Sequence, residues 1–350
     1  MSDSAFRRQA CDLILGRKWD QFLGTGRAWT KLEPNEPVAR LALIIGHLFT
    51  GDYGGAHEQH AVLFSAAVGD DHPTDNKAPL RAFAELLARD HPENPGARLF
   101  LGLTLAQIGD VEGAIREYKE SARLDPDDPY SHYFQGQAHQ ALGQIDMAIR
   151  KYREAVKLAP HDFRMRLNLG SLYHTQGNLE SAIQQFREAI KLNPSDPLPQ
   201  YNLGLALGDQ GRLEPAIAAF KEAVRLNPED ALVRYALGLA YETRGRLSES
   251  VAEFEAAIKL APDLSEVYTK LGWIYYNQHK VQQAADVFEK AVQYNGEDPQ
   301  ALHGLGLVKL AMKKEEEAIS LLKQAYQKEE RPDKKNAIRR VLVGVGAAQP

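Results

Sequence analysis

The sequence predicts an all-α fold, a solenoid of antiparallel helix pairs. A Leu-Gly pair or a near variant returns seven times at intervals of 34 residues between residues 101 and 306. Apolar residues in these segments recur at spacings of three and four, which is the period of a helix. A glycine interrupts that period near the middle of five of the seven segments, so each segment predicts two helices joined by a turn.

One segment shows why each unit is expected to fold as a helical hairpin. Its apolar spacing predicts helices over 97–108 and 111–124, separated by Gly109. Gly102 lacks a side chain where the two helices approach most closely, and Tyr118 supplies the bulk that fills the space toward a neighbouring hairpin. Because one hairpin cannot bury both of its apolar faces, successive hairpins must stack.

Three further columns keep the same phase. A small residue stands twelve positions after each glycine of the Leu-Gly pair, a large residue stands four positions later, and a proline closes five of the seven segments. The small column is Ala114, Ala148, Ala182, Ala216, Ser250, Ala284 and Ala318; the large column is Tyr118, Tyr152, Phe186, Phe220, Phe254, Phe288 and Leu322; the prolines are Pro126, Pro160, Pro194, Pro228 and Pro262.

With these columns the chain resembles the tetratricopeptide repeat family over residues 95–332. The resemblance implies a right-handed superhelix whose first helices line a concave groove, and it implies that this groove binds another protein. The pattern weakens toward the end of the array, where His279 and Lys313 replace the turn glycine and Lys309 takes a place that is usually apolar.

The residues outside 95–332 predict a fainter continuation of the array. Residues 1–70 are expected to form two degenerate hairpins, with Phe22 and Gly26 exchanging the usual small and large positions. Residues 71–94 break the phase with a loop and a single helix from about 78 to 90. Residues 333–350 predict a helix over 333–343 that caps the last hairpin, followed by a tail.

Composition excludes several classes of protein. The chain is 44% apolar and 25% charged, as in soluble globular proteins, and its longest apolar run is too short to cross a bilayer. Cys11 stands alone, so no internal disulfide is possible. With a net charge of −5 and no recognisable targeting segment, we expect a cytoplasmic protein that binds neither nucleic acid nor membrane.

No motif predicts catalysis, a cofactor or a metal. His57 and His60 lie three residues apart, whereas a helical zinc protease motif needs the second histidine at the position of Ala61. His132 and His139 are better explained by ordinary packing than by metal binding. We therefore expect a non-enzymatic protein without a cofactor or a metal site.

The working surface is predicted to be a second apolar stripe along the first helix of each hairpin. Tyrosine and tryptophan suit a half-wet surface, and an asparagine amide matches the backbone of an extended segment. The predicted partner is an extended or helical segment of another protein with aromatic or aliphatic anchors. The predicted peptide-binding residues are Leu99, Leu103, Tyr130, Tyr133, Leu167, Asn168, His174, Leu198, Tyr201, Asn202, Leu205, Tyr235, Leu239, Trp273 and Tyr276.

Two other functions remain open at this stage. The chain could be a scaffold that assembles into a homo-oligomer through its convex face or its C-terminal repeats, or it could be a regulatory subunit of an enzyme. The sequence also leaves open whether residues 1–94 occupy or extend the groove.

Overall fold

The computed structural model describes residues 3–33, 36–50 and 77–347, and in these ranges all regular structure is helical. The predicted fold class is confirmed: the described residues form nineteen helices and no strand, and the fold is an all-α solenoid. The chain divides into two compact units, Met1–Asn193 and Pro194–Pro350, which we call the N-terminal and C-terminal units.

The N-terminal unit contains ten helices among its described residues, and six of them form three consecutive hairpins. Each hairpin joins two helices by a short turn. The ten helices are α1 (Asp3–Leu15), α2 (Trp19–Leu32), α3 (Pro37–Thr50), α4 (Lys77–Asp90), α5 (Pro95–Gln107), α6 (Val111–Leu124), α7 (Pro129–Ala141), α8 (Ile145–Leu158), α9 (Phe163–Thr175) and α10 (Leu179–Leu192).

The C-terminal unit contains four further hairpins and one closing helix among its described residues. In both units we call the earlier helix of each hairpin its first helix and the later one its second helix. The nine helices are α11 (Pro197–Asp209), α12 (Leu213–Leu226), α13 (Ala231–Thr243), α14 (Leu247–Leu260), α15 (Ser265–Asn277), α16 (Val281–Tyr294), α17 (Pro299–Ala311), α18 (Glu315–Lys328) and α19 (Pro332–Gly344).

Six of the seven repeat hairpins close through a glycine that lies against an aromatic ring, and the last closes through Gly306 against Leu322. A Cβ atom built on Gly204 of α11 would lie 2.6 Å from the ring of Phe220 in α12, closer than real side chains approach. In the N-terminal unit, the same relation brings Tyr118 against Gly102 of its own hairpin, while its ring also lies 5.9 Å from that of Phe134 in the next one. The large column therefore fills space within its hairpin as well as toward a neighbour.

The turns within hairpins require a left-handed backbone residue. Gly245 has a φ of 80°, and its N–H donates to the carbonyl of Glu242 at 2.9 Å. His279 takes the equivalent position with a φ of 59° and donates to the carbonyl of Tyr276 at the same distance. The turn at His279 therefore has the same shape as the turn at Gly245. Because a left-handed residue brings its Cβ atom close to the backbone, the histidine is strained there.

The four N-terminal helices pack against the start of the array within their unit. Phe22 of α2 and Phe83 of α4 both meet the ring of Phe100 edge-on, with ring centroids 6.1 and 6.0 Å away. Arg17 at the end of α1 donates to Asp125 at 2.5 Å. Helix α2 packs chiefly on α3, although the sequence pattern grouped α2 with α1. The second degenerate hairpin falls largely on residues outside the described ranges and stays a prediction.

Helix α19 covers the last hairpin of the C-terminal unit. Ile338 and Leu342 are buried against α17 and α18, while Arg339 and Arg340 are exposed. The helix therefore has the apolar and charged faces that a terminal cap requires. In the described part of the chain, none of the helices has the length and apolarity needed to cross a membrane.

We predict opposite effects from alanine at two glycines of α11. Gly204→Ala forces a Cβ atom against Phe220 and is expected to lower stability by about 1–3 kcal/mol. Gly208→Ala meets no atom within 4 Å and is the matched control, expected to stabilise the helix by up to about 1 kcal/mol. Thermal unfolding followed by circular dichroism measures both. Equal effects would contradict the close approach at Gly204.

We also predict that glycine relieves the strained turn. His279→Gly removes the Cβ atom from a left-handed residue and is expected to raise stability by about 0.5–1 kcal/mol. The converse change, Gly245→His, introduces the same crowding and is expected to lower the melting temperature. A lower melting temperature for His279→Gly would mean that the histidine side chain stabilises the turn by contacts that outweigh the strain.

Candidate functional site

Four of the predicted peptide-binding residues are buried, which corrects their assignment to a binding surface. Leu99 and Leu103 of α5 are 0% and 1% exposed, and Tyr133 and Leu167 are almost as inaccessible. The two leucines share a core cluster with residues of α1 to α4, including Ile14 and Phe22. They stabilise the stack of hairpins and offer no surface to a partner.

The other predicted residues of the N-terminal unit are half-buried and engaged within the chain. The amide of Asn168 donates to the hydroxyl of Tyr133 at 2.9 Å, and Arg164 donates to the hydroxyl of Tyr130 at 3.3 Å. His174 is half-buried near the end of α9. In the N-terminal unit, fewer of the predicted residues are consequently accessible, and the accessible ones are more polar than the sequence suggested.

The C-terminal unit keeps the predicted surface accessible. Leu198 and Leu232 stand one repeat apart, at the starts of α11 and α13, and are 45% and 58% exposed. The remaining predicted residues of this unit are half-buried: Tyr201, Asn202, Leu205, Tyr235, Leu239, Trp273 and Tyr276. We call Leu232 and the predicted residues of α11, α13 and α15 the first-helix face.

The aromatic residues of this face rest on the buried phenylalanine column. The ring of Tyr201 lies 6.0 Å from that of Phe220, and the ring of Tyr235 lies 5.8 Å from that of Phe254. Trp273 meets Phe288 edge-on at 5.5 Å. Each aromatic side chain thus has one face supported by the core of the unit, which fixes its position before any partner binds.

The tyrosines of the face stay protonated over the physiological pH range. Burial raises the pKa of Tyr235 to about 12, with smaller contributions from the carboxylates of Glu266, Glu242 and Asp298. Burial and Asp230 also raise the pKa of Tyr201. Both phenols therefore keep their O–H and can donate a hydrogen bond to a partner.

The two predicted asparagines differ in their surroundings. Asn168 belongs to the N-terminal unit, and one N–H of its amide donates a hydrogen bond to the hydroxyl of Tyr133. Asn202 belongs to the C-terminal unit, and its side chain forms no hydrogen bond with any residue that the structure describes. Asn202 therefore has its whole amide available for a partner, whereas Asn168 already uses one N–H within the chain.

A cavity at the end of the C-terminal unit was missed by the sequence reasoning. Its volume is about 490 Å³, and it lies among α13, α15, α17 and α19. We call it the terminal cavity. Its lining residues are Glu242, Thr269, Lys270, Trp273, Gln300, His303, Arg331, Lys334 and Ala337.

A signal for this cavity was present in the sequence. Thr269 and His303 occupy the column of Tyr201 and Tyr235, one and two repeats further on. The aromatic residues of that column end at Tyr235, so an aromatic pattern alone does not reveal the cavity. Trp273, which lies on the neighbouring column, also lines the cavity and is the point where it meets the first-helix face.

The structure brings no metal-binding group together in the ranges that it describes. No cluster of three or more histidine, cysteine, aspartate or glutamate side chains has the geometry to hold a metal ion there. His57 and His60 lie outside those ranges.

The helical hairpins and their columns define a tetratricopeptide repeat protein. Residues 78–340 match the family model described as the cilia and flagella-associated protein 70 C-terminal domain, and the chain belongs to this family. Domains of the tetratricopeptide repeat class are typically non-catalytic scaffolds for protein–protein interaction. Among curated proteins, none matches the sequence.

Two solved structures with TM-scores above 0.5 have the same fold, and a third is similar over about half of this chain. The C-terminal part of a tetratricopeptide repeat protein from Cytophaga hutchinsonii is 18% identical, with a TM-score of 0.56 over 66% of this chain and 95% of that one. The structure of the APC/C hetero-tetramer Cut9–Hcn1 is 18% identical, with a TM-score of 0.53 over 88% of this chain and 56% of that one. A structure of MamA is 27% identical over 47% of this chain and 97% of that one, with a TM-score of 0.45.

We predict that Trp273 contributes to stability as well as to the surface. Its ring contacts Phe288, Tyr276 and His303 within 5.8 Å, so Trp273→Ala is expected to destabilise the C-terminal unit by about 2–4 kcal/mol. Leu232→Ala, at an exposed site, is the control and is expected to change stability by less than about 0.5 kcal/mol. Urea unfolding measures both. Equal stability of the two variants would show that Trp273 is not packed as described.

Proposed function

We propose that the chain binds a segment of another protein on the first-helix face of the C-terminal unit. The observation that carries this proposal is the pair Leu198 and Leu232, which are exposed at equivalent positions of consecutive hairpins. Two other exposed leucines of this unit, Leu247 and Leu260, lie on a second helix, α14. Contiguous exposed apolar surface commonly marks a binding site.

The chemistry of the face suits an extended or helical segment with apolar anchors. Leu198 and Leu232 stand beside Tyr201 and Tyr235, whose rings are supported from below by the core. Burial of one such anchor of the partner contributes about 1.5–3 kcal/mol. Two or three anchors, less the cost of ordering a flexible segment, correspond to roughly micromolar affinity.

Hydrogen bonds would add orientation to this apolar contact. The free amide of Asn202 offers both a donor and an acceptor to the backbone of a bound segment. The protonated phenol of Tyr235 offers a further donor. These groups select for a polypeptide over a purely apolar ligand, since they match peptide groups regardless of the partner's side chains.

A role as a scaffold for protein–protein interaction is common to this class of domain, and a similar fold occurs in the Cut9–Hcn1 hetero-tetramer. A cytoplasmic location, self-assembly and regulation of an enzyme stay hypotheses.

The double variant Leu198→Asp, Leu232→Asp tests the proposal. Both side chains are exposed, so the fold is expected to survive. Because the two leucines would be buried by the partner, their loss is expected to lower the affinity at least about a hundredfold. The matched control is Leu247→Asp, Leu260→Asp, which adds the same charge to exposed positions of α14. Affinity capture from source cells, followed by titration of the captured partner, measures the effect.

Partners retained by the wild type and the α14 control but lost by the first-helix variant would support the proposal. Retention of the same partners by all three proteins would overturn it. Light scattering on the three proteins separates binding of a different protein from self-association, because only the latter raises the mass of the purified chain with concentration.

A further inference from the structure

The terminal cavity adjoins the first-helix face but differs from it in chemistry. Trp273 belongs to both, and beyond it the lining turns polar and charged, with Lys270 on α15, His303 on α17 and Lys334 on α19. At the positions that correspond to His303, α11 and α13 carry Tyr201 and Tyr235, and at those that correspond to Lys270 they carry the uncharged Asn202 and Ala236. A segment bound along this face would therefore pass from an apolar surface to a charged one.

The charges of the cavity are unevenly satisfied. Arg331 makes two hydrogen bonds of 2.9 Å to the carboxylate of Glu329, so its positive charge is already paired within the chain. Lys270 lies 3.4 Å from Glu242, a longer contact than a good charged hydrogen bond. Lys334 forms no ion pair with any residue in the described ranges.

His303 adds a polar group that the fold leaves unsatisfied. It is only 9% exposed, its Nε2 atom has no hydrogen-bond partner among the described residues, and its ring lies 5.5 Å from that of Trp273. Burial and the charge of Lys334 lower the pKa of His303, with Glu329 acting in the opposite sense. The imidazole is therefore neutral at pH 7 and adds no positive charge to the cavity.

We propose that the terminal cavity receives the side-chain carboxylate of an aspartate or glutamate in the same partner segment whose apolar residues pack on α11 and α13. This inference rests on the proposed function. Lys334 and Lys270 bind the carboxylate, and Trp273 packs against the aliphatic part of the acidic residue or its neighbour.

The structure favours a carboxylate over a phosphate. Phosphate recognition in proteins often relies on the forked geometry of arginine, and here the only lining arginine, Arg331, is held by Glu329. Lys270 and Lys334 carry two positive charges and Glu242 carries one negative charge, so these three lining residues leave one net positive charge, which a single carboxylate balances. The site also fixes the direction of the partner, with its apolar anchors over α11 and α13 and its acidic residue over α15 and α19.

Peptides selected from a random display library on the full chain are the probe. A length of about twelve residues is enough to cross three first helices that lie about 10 Å apart. Selected peptides are expected to carry aspartate or glutamate next to their aromatic or aliphatic anchors. They are then synthesised with amidated C-termini, and dissociation constants are measured by fluorescence anisotropy at low and physiological salt.

The variant Lys270→Glu, Lys334→Glu is expected to weaken binding about tenfold or more, because it replaces two attractive charges by repulsive ones. The matched control is Lys221→Glu, Lys259→Glu on α12 and α14, which changes the net charge equally at exposed positions outside the cavity. The control is expected to weaken binding no more than about twofold. Changing the acidic residue of the peptide to its amide should abolish the difference between the two variants.

Several results would overturn the inference. Selected peptides without an excess of acidic residues, equal binding by both lysine variants, a preference for phosphorylated peptides, or binding that requires a free C-terminal carboxylate would each do so. Failure of the proposed function is a separate outcome. In that case no selected peptide would lose affinity for the Leu198→Asp, Leu232→Asp protein. If the peptides lose affinity for that protein but show no preference for acidic residues, only the proposed role of the terminal cavity is refuted.

Discussion

Each helix pair closes because a glycine on the first helix leaves room for a large side chain on the second. The contact recurs at Gly204 with Phe220, at Gly238 with Phe254 and at Gly272 with Phe288, where a Cβ atom would lie within 2.6 Å of the ring. Phe288 also lies against Gly304 of the next hairpin. One ring thereby fixes both the spacing inside a hairpin and the spacing to its neighbour, and the binding surface inherits its geometry from that packing.

This constraint explains how the fold could be predicted from the sequence. Glycine and a large residue at a constant separation are required by close packing, so they leave a periodic record in the chain. The boundaries of α5 and α6 differ from the predicted helices by at most two residues, and α19 extends the predicted cap by one residue at each end. Prediction was weaker before residue 95, where α2 packs on α3 through Gly26 and Gly46 and the 34-residue phase is lost.

The site was only partly predictable, because burial depends on contacts between segments that are distant in sequence. Leu99 and Leu103 have the same pattern as Tyr201 and Leu205, yet helices α1 to α4 join them in one core, and nothing local in α5 reveals that. The terminal cavity was missed for a related reason. Its residues change type from one repeat to the next, and Lys334 comes from α19, which lies beyond the repeated columns.

The terminal cavity is shared by three consecutive hairpins and the closing helix, so it exists only when all of them are folded. In a linear array each hairpin is held mainly by its neighbours, and the last ones have the fewest. Two of them also contain a left-handed residue other than glycine, His279 and Lys313. Occupancy of the cavity would accordingly be linked to the ordering of this end of the array. A bound ligand would add its binding free energy to the stability of the last hairpins, which have the fewest neighbours, and local unfolding of these hairpins would release the ligand.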